Sequence, residues 1–301
     1  MDTGSDKSRI VHAISIDVED WYQSTIDSNS ELSGRFEVSI ARLLEVFAQH
    51  HVHGTFFVLG LAARKAPSLI RAISDAGHEI GSHGYAHKDV FTLTADQFRQ
   101  DLLKAKAMLE DLVGKKVIGF RASNFSIDDR TPFAFDVLAQ TGHLYDSSVF
   151  PIKMPRYGTE TYGVNPSVVT TPAGNRLIEA PIASCRWLGR NWPMGGGGYF
   201  RLWPYPVLRW AFHRLEKESR SGVIYFHPYE CDTTEIQSYK DIPLKIRIKQ
   251  GLGRKGFMSK INRLMTDFRV GPLRDVLADL IHTFPSPDVQ TLTTSDQPQM
   301  R

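Results

Sequence analysis

Apolar residues along the chain follow two alternating patterns, one typical of buried strands and one typical of helices. Residues 11–18 (VHAISIDV) alternate and are rich in β-branched side chains, so they predict a strand that ends in a cluster of acids. Residues 37–50 carry apolar side chains at helical spacing. The compact apolar run at residues 53–60 then predicts a second, buried strand.

The same alternation continues towards the C-terminus. Pro67 begins a predicted helix that Gly77 ends. Thr94 and Gln97 form a capping box for a long helix that Gly114 ends. Further elements are predicted in chain order: strands over residues 117–120, 144–149 and 177–182, a helix over 207–217, and a strand over 223–226.

Strands that alternate with helices favour a largely parallel sheet or barrel. In such folds the functional side chains lie at the C-terminal ends of the strands. In this chain those ends carry acids, imidazoles and an arginine, namely Asp17, Glu19, Asp20, Ser82, His83, Arg121, Asp146 and His227. This pattern predicts an enzyme site at one edge of the sheet.

Composition narrows the class of protein. The 301 residues are 42% hydrophobic and 23% charged, which is typical of a globular protein with a real core. A net charge of +3 does not indicate a nucleic-acid partner, and no apolar run approaches the roughly 18 residues of a membrane span. The first 20 residues lack a signal-peptide pattern, and the two cysteines suit a reducing compartment. We therefore expect a cytoplasmic protein.

Residues 77–87 contain two histidines four positions apart, His83 and His87. If the strand ends near Ser82 and the chain enters a helical turn at Gly84, both imidazoles lie on one face. They would form half of a zinc-type site and leave positions for oxygen ligands. A zinc-protease motif fits poorly, because Gly84 stands where that motif needs glutamate.

Seven short motifs form an ordered set between residues 10 and 280. They are SIDVEDW at 15–21, GTFFVLG at 54–60, the His83/His87 block, GFRA at 119–122, DSS at 146–148, GYFR at 198–201 and YFHP at 225–228. Together they resemble the NodB-homology polysaccharide deacetylases, in the branch found with bacterial exopolysaccharide clusters. The resemblance implies a distorted (β/α) barrel and metal-dependent removal of N-acetyl groups from amino sugars.

The resemblance also implies roles for individual residues. Asp17 resembles the catalytic base, Arg121 the residue that orients it, and His227 the catalytic acid. His83 and His87 resemble the ligands of a divalent metal, usually zinc.

The carboxylate ligand is less clear, because the family motif has adjacent aspartates and this chain has Asp17, Val18, Glu19 and Asp20 in sequence. Residues two apart on a strand share a face, so we favour Glu19 as the ligand, with Asp20 as the second choice.

Four further residues are predicted to bind substrate: Trp21, Tyr199, Arg201 and Asp146. Tyr199 and Arg201 follow the glycine run at residues 195–198, which is either a plain flexible loop or part of a groove where aromatic rings stack on sugars. Asp146 is alternatively a helix N-cap.

We predict one catalytic domain over residues 10–239, preceded by a disordered N-terminus at 1–9. A basic helical extension packed on the barrel would follow at 240–284, and a polar tail at 285–301. Residues 240–269 hold nine lysines and arginines against two aspartates. This segment is either a solvated face or a peripheral contact with an anionic membrane or a lipid-linked glycan.

Three functions remain open at this point. The first is a deacetylase of an N-acetylated glycan in exopolysaccharide synthesis, and the second is a cyclic amide hydrolase on the same fold. The third is a catalytically silent carbohydrate-binding relative. Such a protein would have lost its base or a metal ligand, and none is lost here.

Overall fold

The computed structural model describes residues 10–152, 154 and 157–284. The predicted disordered N-terminus and polar tail lie outside these residues. Within them, no helix has the length and apolar character needed to cross a lipid bilayer.

The described residues form eleven strands: β1 His12–Val18, β2 Thr55–Val58, β3 Glu79–Ser82, β4 Gly119–Phe120, β5 Tyr145–Asp146, β6 Ser167–Thr170, β7 Arg176–Glu179, β8 Ser184–Trp187, β9 Arg190–Pro193, β10 Val223–Phe226 and β11 Val270–Gly271. Nine of them make one sheet in the order β10-β1-β2-β3-β4-β5-β7-β6, with β11 paired to β1. Every pair in this sheet is parallel except β6 with β7. Strands β8 and β9 form a separate antiparallel hairpin.

The two ends of the parallel path meet. An isolated parallel bridge pairs Ile182, three residues beyond β7, with Val223 at the start of β10. The amide of Ala183 also donates to the carbonyl of Val223 at 2.9 Å. The sheet therefore curls into a distorted barrel, and the predicted fold class is confirmed.

The described part of the chain also forms thirteen α-helices: α1 Trp21–Thr25, α2 Arg35–Gln49, α3 Gly60–Lys65, α4 Pro67–Asp75, α5 Ala95–Val113, α6 Ala134–Gln140, α7 Gly197–Leu202, α8 Tyr205–Lys217, α9 Glu235–Ser238, α10 Leu244–Gly251, α11 Phe257–Asp267, α12 Leu273–Val276 and α13 Ala278–His282. Short 3₁₀ turns occur at Val90–Thr92, Ser123–Phe125, Pro228–Cys231 and Arg254–Gly256.

Local signals fixed several helix ends as predicted. Thr94 and Gln97 form the capping box of α5, and Gly114 ends that helix in the left-handed conformation with φ of 65°. Other boundaries differ. The apolar run at residues 53–60 is a strand only as far as Val58, because Gly60 already begins α3. Strands β6, β8, β9 and β11 were not predicted.

Strand β1 separates the two environments of the fold. All seven of its residues are buried. Ile14, Ile16 and Val18 pack in the core between the sheet and helices such as α2. Ser15 and Asp17 lie on the opposite face, where both contact Arg121. The alternation along β1 thus places a carboxylate inside the barrel.

The C-terminal part of the chain is helical and joins the barrel. Helix α11 buries Phe257, Ile261, Leu264 and Met265, and β11 pairs with the first residues of β1. Helix α10, in contrast, buries none of its side chains. The domain boundary at residue 239 stays a prediction.

Candidate active site

Side chains from four strand ends converge on one cleft. Asp17 belongs to β1 and Glu19 follows it, while His83, Arg121 and His227 directly follow β3, β4 and β10. The cleft has a volume of about 150 Å³, and its lining includes Asp17, Glu19, His83, His87, Asn124, Phe125, Tyr157, Tyr225, His227, Tyr229 and Gln250. Five of the eight predicted strand-end residues are therefore brought together.

Glu19, His83 and His87 form a compact group of buried ligand atoms within 4.8 Å of one another. Oε2 of Glu19 lies 2.7 Å from Nε2 of His87 and 3.5 Å from Nε2 of His83. It nevertheless has no aligned hydrogen-bond partner among the described residues. An unpartnered buried carboxylate oxygen beside two imidazole nitrogens is the donor set that a divalent cation fits.

The histidine ligands are held by the surrounding backbone. Nδ1 of His83 lies 2.8 Å from the carbonyl oxygen of Arg121, which fixes the ring so that Nε2 points into the cluster. His87 is reached by a loop and not by the predicted helical turn. Gly84 and His87 have positive φ angles of 76° and 55°, and the amide of Tyr85 is bound by Asp101 at 2.8 Å. These left-handed residues bring His87 back over Glu19, and the helical turn was wrong.

Two members of the cluster, Glu19 and His87, have perturbed pKa values. Burial raises the pKa of Glu19, but the positive charges of His87 and His227 outweigh it and hold that pKa well below its usual range. Burial lowers the pKa of His87, but the adjacent Glu19 carboxylate reverses this and raises it overall. Glu19 is therefore held as a carboxylate, the form that binds a cation.

Arg121 is fully buried and fixes Asp17. Its Nη1 donates to Oδ1 of Asp17 and to Oγ of Ser15, both at 2.8 Å. Nε and Nη2 donate to the carbonyl oxygen and the hydroxyl of Ser147, both at 2.9 Å. With its guanidinium saturated on both sides, Arg121 holds the Asp17 carboxylate in one orientation.

His227 is half-buried on the opposite side of the cleft. Its Nε2 lies 3.4 Å from Oε1 of Glu19 and 4.0 Å from Oδ2 of Asp17. Its Nδ1 lies 3.4 Å from Oε2 of Glu230, and its ring stacks on Tyr229 at 4.6 Å. Burial lowers the pKa of His227, but the three carboxylates outweigh burial and raise it to about 9. The ring is thus kept as an imidazolium.

The second-choice ligand, Asp20, is not part of the cluster. Its Oδ1 accepts hydrogen bonds from the amides of Tyr22 and Gln23, as the N-cap of α1. Its Oδ2 accepts from the amide and the hydroxyl of Ser33. Both Asp20 oxygens are thus occupied by helix capping and loop closure, which favours Glu19 over Asp20 as the carboxylate ligand.

Three of the four predicted substrate-binding residues are buried, and their role in substrate binding stays a prediction. Trp21 has no exposed surface and packs with Tyr229 in a small core cluster. Asp146 is also fully buried and accepts hydrogen bonds from the amide and hydroxyl of Ser148. Arg201 is buried with its Nη1 3.4 Å from Oε1 of Glu230. Arg201 therefore lies against Glu230, the partner of His227.

Two buried carboxyl groups lie below the site on neighbouring strands, Asp146 on β5 and Glu179 on β7. Burial raises the pKa of both, and the proximity of Asp146 raises that of Glu179 further, well above its usual range. Asp146 accepts from the Ser148 hydroxyl, which in turn accepts from the amide of Ala122. The pair thus holds the loop that follows Arg121.

Several residues of the site were given no role from the sequence. Ser15 and Ser147 bind Arg121, and Glu230 binds His227. Ser15 had a usable signal, because it is two residues before Asp17 on the same strand face. Ser147 lies in the DSS motif at 146–148, but the motif gave it no role. Glu230 belongs to none of the seven motifs, and a glutamate after a strand is common.

Tyr199 lies outside the catalytic cleft, in a second cleft of about 770 Å³ that includes Met154, Tyr162, Arg190, Trp192, Tyr199 and Trp203 in its lining. The rings of Tyr199 and Phe150 are 6.1 Å apart, and those of Phe150 and Tyr157 are 5.5 Å apart. Tyr157 lines the catalytic cleft. A continuous row of aromatic rings therefore connects the two clefts.

Comparison with known families adds two matches in sequence. A polysaccharide deacetylase model matches residues 24–145, and a domain of unknown function (DUF3473) matches residues 147–278. The chain is similar to the peptidoglycan deacetylase of Helicobacter pylori, with 36% identity over 126 residues, 41% of this chain and 42% of that protein. The chain thus spans less than half the length of this curated relative.

Solved structures share the fold. A protein from Mycobacterium smegmatis, assigned to the polysaccharide deacetylases, has a TM-score of 0.62 at 22% identity, covering 95% of this chain and 96% of that one. The Puue allantoinase has a TM-score of 0.63 at 19% identity, covering 94% and 93%. At these identities the likeness concerns the fold alone. The two structures are named as a polysaccharide deacetylase and an allantoinase, so the fold does not distinguish these two activities.

Proposed function

We propose that this chain, which matches the polysaccharide deacetylase family over residues 24–145, removes N-acetyl groups from the amino sugars of a polysaccharide or its precursor. The observation that carries the proposal is the cluster of Glu19, His83 and His87 beside Asp17 and His227. This cluster supplies a metal-type donor set, a base and an acid in one cleft.

The donor set determines what can bind there. Glu19, His83 and His87 would hold a divalent metal, for which we propose zinc, because two imidazoles and one carboxylate are typical zinc ligands. A metal held there supplies Lewis acidity to the amide carbonyl and to a water molecule.

Asp17 and His227 provide the proton transfers. Asp17, oriented by Arg121, accepts a proton from the water as its oxygen attacks the amide carbon. His227 then gives its Nε2 proton to the sugar nitrogen as the C–N bond breaks, which releases acetate and a free amine. A positioned base and a positioned acid each contribute about 10²- to 10⁴-fold in rate.

We also propose that the protein works in the cytoplasm on a soluble or lipid-linked precursor, within exopolysaccharide synthesis. Both cysteines are free and buried, which suits a reducing compartment. A cytoplasmic enzyme has no access to a finished extracellular polymer, so a precursor is the more consistent substrate.

Acetate release tests the proposed reaction. Purified protein reconstituted with Zn²⁺ should release acetate from at least one member of a panel of N-acetylated oligosaccharides. It should not open allantoin or cyclic imides, a reaction that releases no acetate. Ring opening without acetate release would favour the cyclic amide hydrolase instead. Glycan binding with neither reaction would favour a silent carbohydrate-binding protein.

The second cleft leads to a prediction about substrate length. If glycan units beyond the cleaved one lie along Tyr199 and Trp192, Trp192→Ala should raise KM for longer oligosaccharides by roughly 3- to 10-fold, the loss expected for one aromatic contact. KM for the shortest substrate and kcat for both should not change. Trp210→Ala is the matched control, because Trp210 is exposed outside this cleft. Equal KM values for both lengths in Trp192→Ala would remove the second cleft from the glycan path.

A further inference from the structure

Helix α10 presents an apolar stripe to solvent. Leu244, Ile248 and Leu252 are 69%, 55% and 52% exposed. Their spacing of four residues places them along one side of the helix and its C-terminal end. Clustered exposed aliphatic side chains are unusual on a soluble surface and mark a contact site.

Positive charge surrounds this stripe. Residues 240–255 contain six lysines and arginines and one carboxylate, Asp241. Two of the cations serve the fold. Arg247 donates to the carbonyl of Tyr239 at 2.8 Å, and Arg254 is buried against the carbonyl of Tyr229 at 2.6 Å. The other four, Lys240, Lys245, Lys249 and Lys255, are exposed, and the described residues give them no ion-pair partner.

A second element extends the apolar surface. Leu202, at the end of α7, is also exposed. The neighbouring Arg201 carbonyl lies so close to Gly253 that an added Cβ there would approach it to 2.6 Å. Lys260 also donates to this carbonyl at 2.6 Å, which fixes α7 against the segment after α10. The contact surface is therefore defined by Leu202, Leu244, Ile248 and Leu252, with the four exposed lysines around it.

We propose that this contact surface binds an anionic phospholipid bilayer. Aliphatic side chains flanked by lysines match the boundary between acyl chains and negatively charged headgroups. A second copy of the chain is a poorer occupant, because pairing the same surface with itself would bring like charges together. The lysines and aliphatic side chains together therefore favour a partner with negative charge at its surface and an apolar interior.

Helix α10 contributes both to the contact surface and to the catalytic cleft. Gln250, on the same helix, lines the catalytic cleft. Binding through α10 would therefore hold the cleft close to the bilayer. The inference concerns the surface alone and does not depend on the deacetylase reaction proposed above, so the two are tested separately.

Vesicle binding tests the inference. The protein should sediment with vesicles of phosphatidylcholine mixed with phosphatidylglycerol, and much less with phosphatidylcholine alone. Raising the salt concentration should weaken the association. The triple variant Leu244→Ser/Ile248→Ser/Leu252→Ser should lower the partition coefficient on the order of tenfold or more. Lys245→Gln/Lys249→Gln should weaken binding most strongly at low salt.

Matched controls distinguish binding through this contact surface from nonspecific vesicle binding by other exposed residues. Val38 on α2 and Leu103 on α5 are also exposed, so Val38→Ser/Leu103→Ser should leave vesicle binding unchanged. Lys116→Gln removes an exposed lysine elsewhere and should likewise have no effect. All variants should keep the wild-type Tm without vesicles, since none of the changed side chains is buried.

A dye at the surface gives an independent readout. Both native cysteines are buried, so Ile248→Cys can be labelled selectively with an environment-sensitive fluorophore. Its emission should shift to shorter wavelength on adding anionic vesicles. Absence of vesicle binding by the wild-type protein at low salt would overturn the inference. Binding that survives the triple variant, or self-association that the triple variant abolishes, would overturn it as well.

Discussion

Replacing Asp17 with asparagine should lower kcat by about 10²- to 10⁴-fold without loss of metal. The amide has nearly the same shape and can still accept a hydrogen bond from Arg121 through its oxygen. It cannot take a proton from water, so the base is lost while the cluster of Glu19, His83 and His87 stays intact. Acetate release and metal content should be measured on the same preparation.

Asp20→Asn is the matched control for Asp17→Asn. Asp20 carries the same functional group three residues away but caps α1 and binds Ser33. Asparagine keeps the cap through its oxygen, but its NH2 group cannot accept from the Ser33 amide, so the Tm of this variant should fall. Its turnover should match the wild type. Full turnover in Asp17→Asn would show that another group accepts the proton.

Glu19→Gln should have the second large effect, on metal affinity. Losing a residue that only orients a metal ligand typically costs 10- to 100-fold in affinity, so loss of the ligand itself should cost at least about that much. Titration of the metal-free protein with Zn²⁺ in a calorimeter measures this directly, and excess Zn²⁺ should partly restore acetate release. Chelation should abolish the activity of the wild type.

Asp20→Asn is also the control for Glu19→Gln. Asp20→Asn should bind Zn²⁺ as the wild type does, because its oxygens are occupied by the amides of Tyr22, Gln23 and Ser33. If Asp20→Asn loses the metal while Glu19→Gln keeps it, the ligand assignment is wrong. Undiminished activity in rigorously metal-free protein would remove the metal from the proposal altogether.

Sequence was most informative where a short strand has one apolar face and one functional face. In β1 the alternation correctly predicted that Asp17 lies opposite the apolar core residues, and that Glu19 rather than Asp20 joins the cleft. The two ends of α5 were also predicted correctly, because the capping box and Gly114 each depend on contacts within a few residues. Local patterns therefore sufficed for the strand ends that build the site.

Contacts between segments that are distant in the chain could not be predicted from the sequence. The loop that carries His87 depends on a left-handed histidine, a conformation stabilised by the surrounding fold and not by its own sequence. Trp21 follows two acids and resembles an exposed aromatic residue, yet a core cluster with Ile236 and Ile242 covers it. Charge counting likewise did not distinguish the exposed Lys245 and Lys249 from Arg254, which binds backbone carbonyls.

The central position of β1 has a consequence for how the chain is made. This strand pairs with β10 through Ala13 to Ile16, although about 200 residues separate them in sequence. At typical synthesis rates of about 5–20 residues per second, β1 waits some 10–40 s on the ribosome for that partner. During this interval one of its edges exposes unpaired backbone groups beside a largely apolar face, the combination that promotes aggregation. The strand that carries Asp17 is thus exposed to aggregation until β10 has been synthesised.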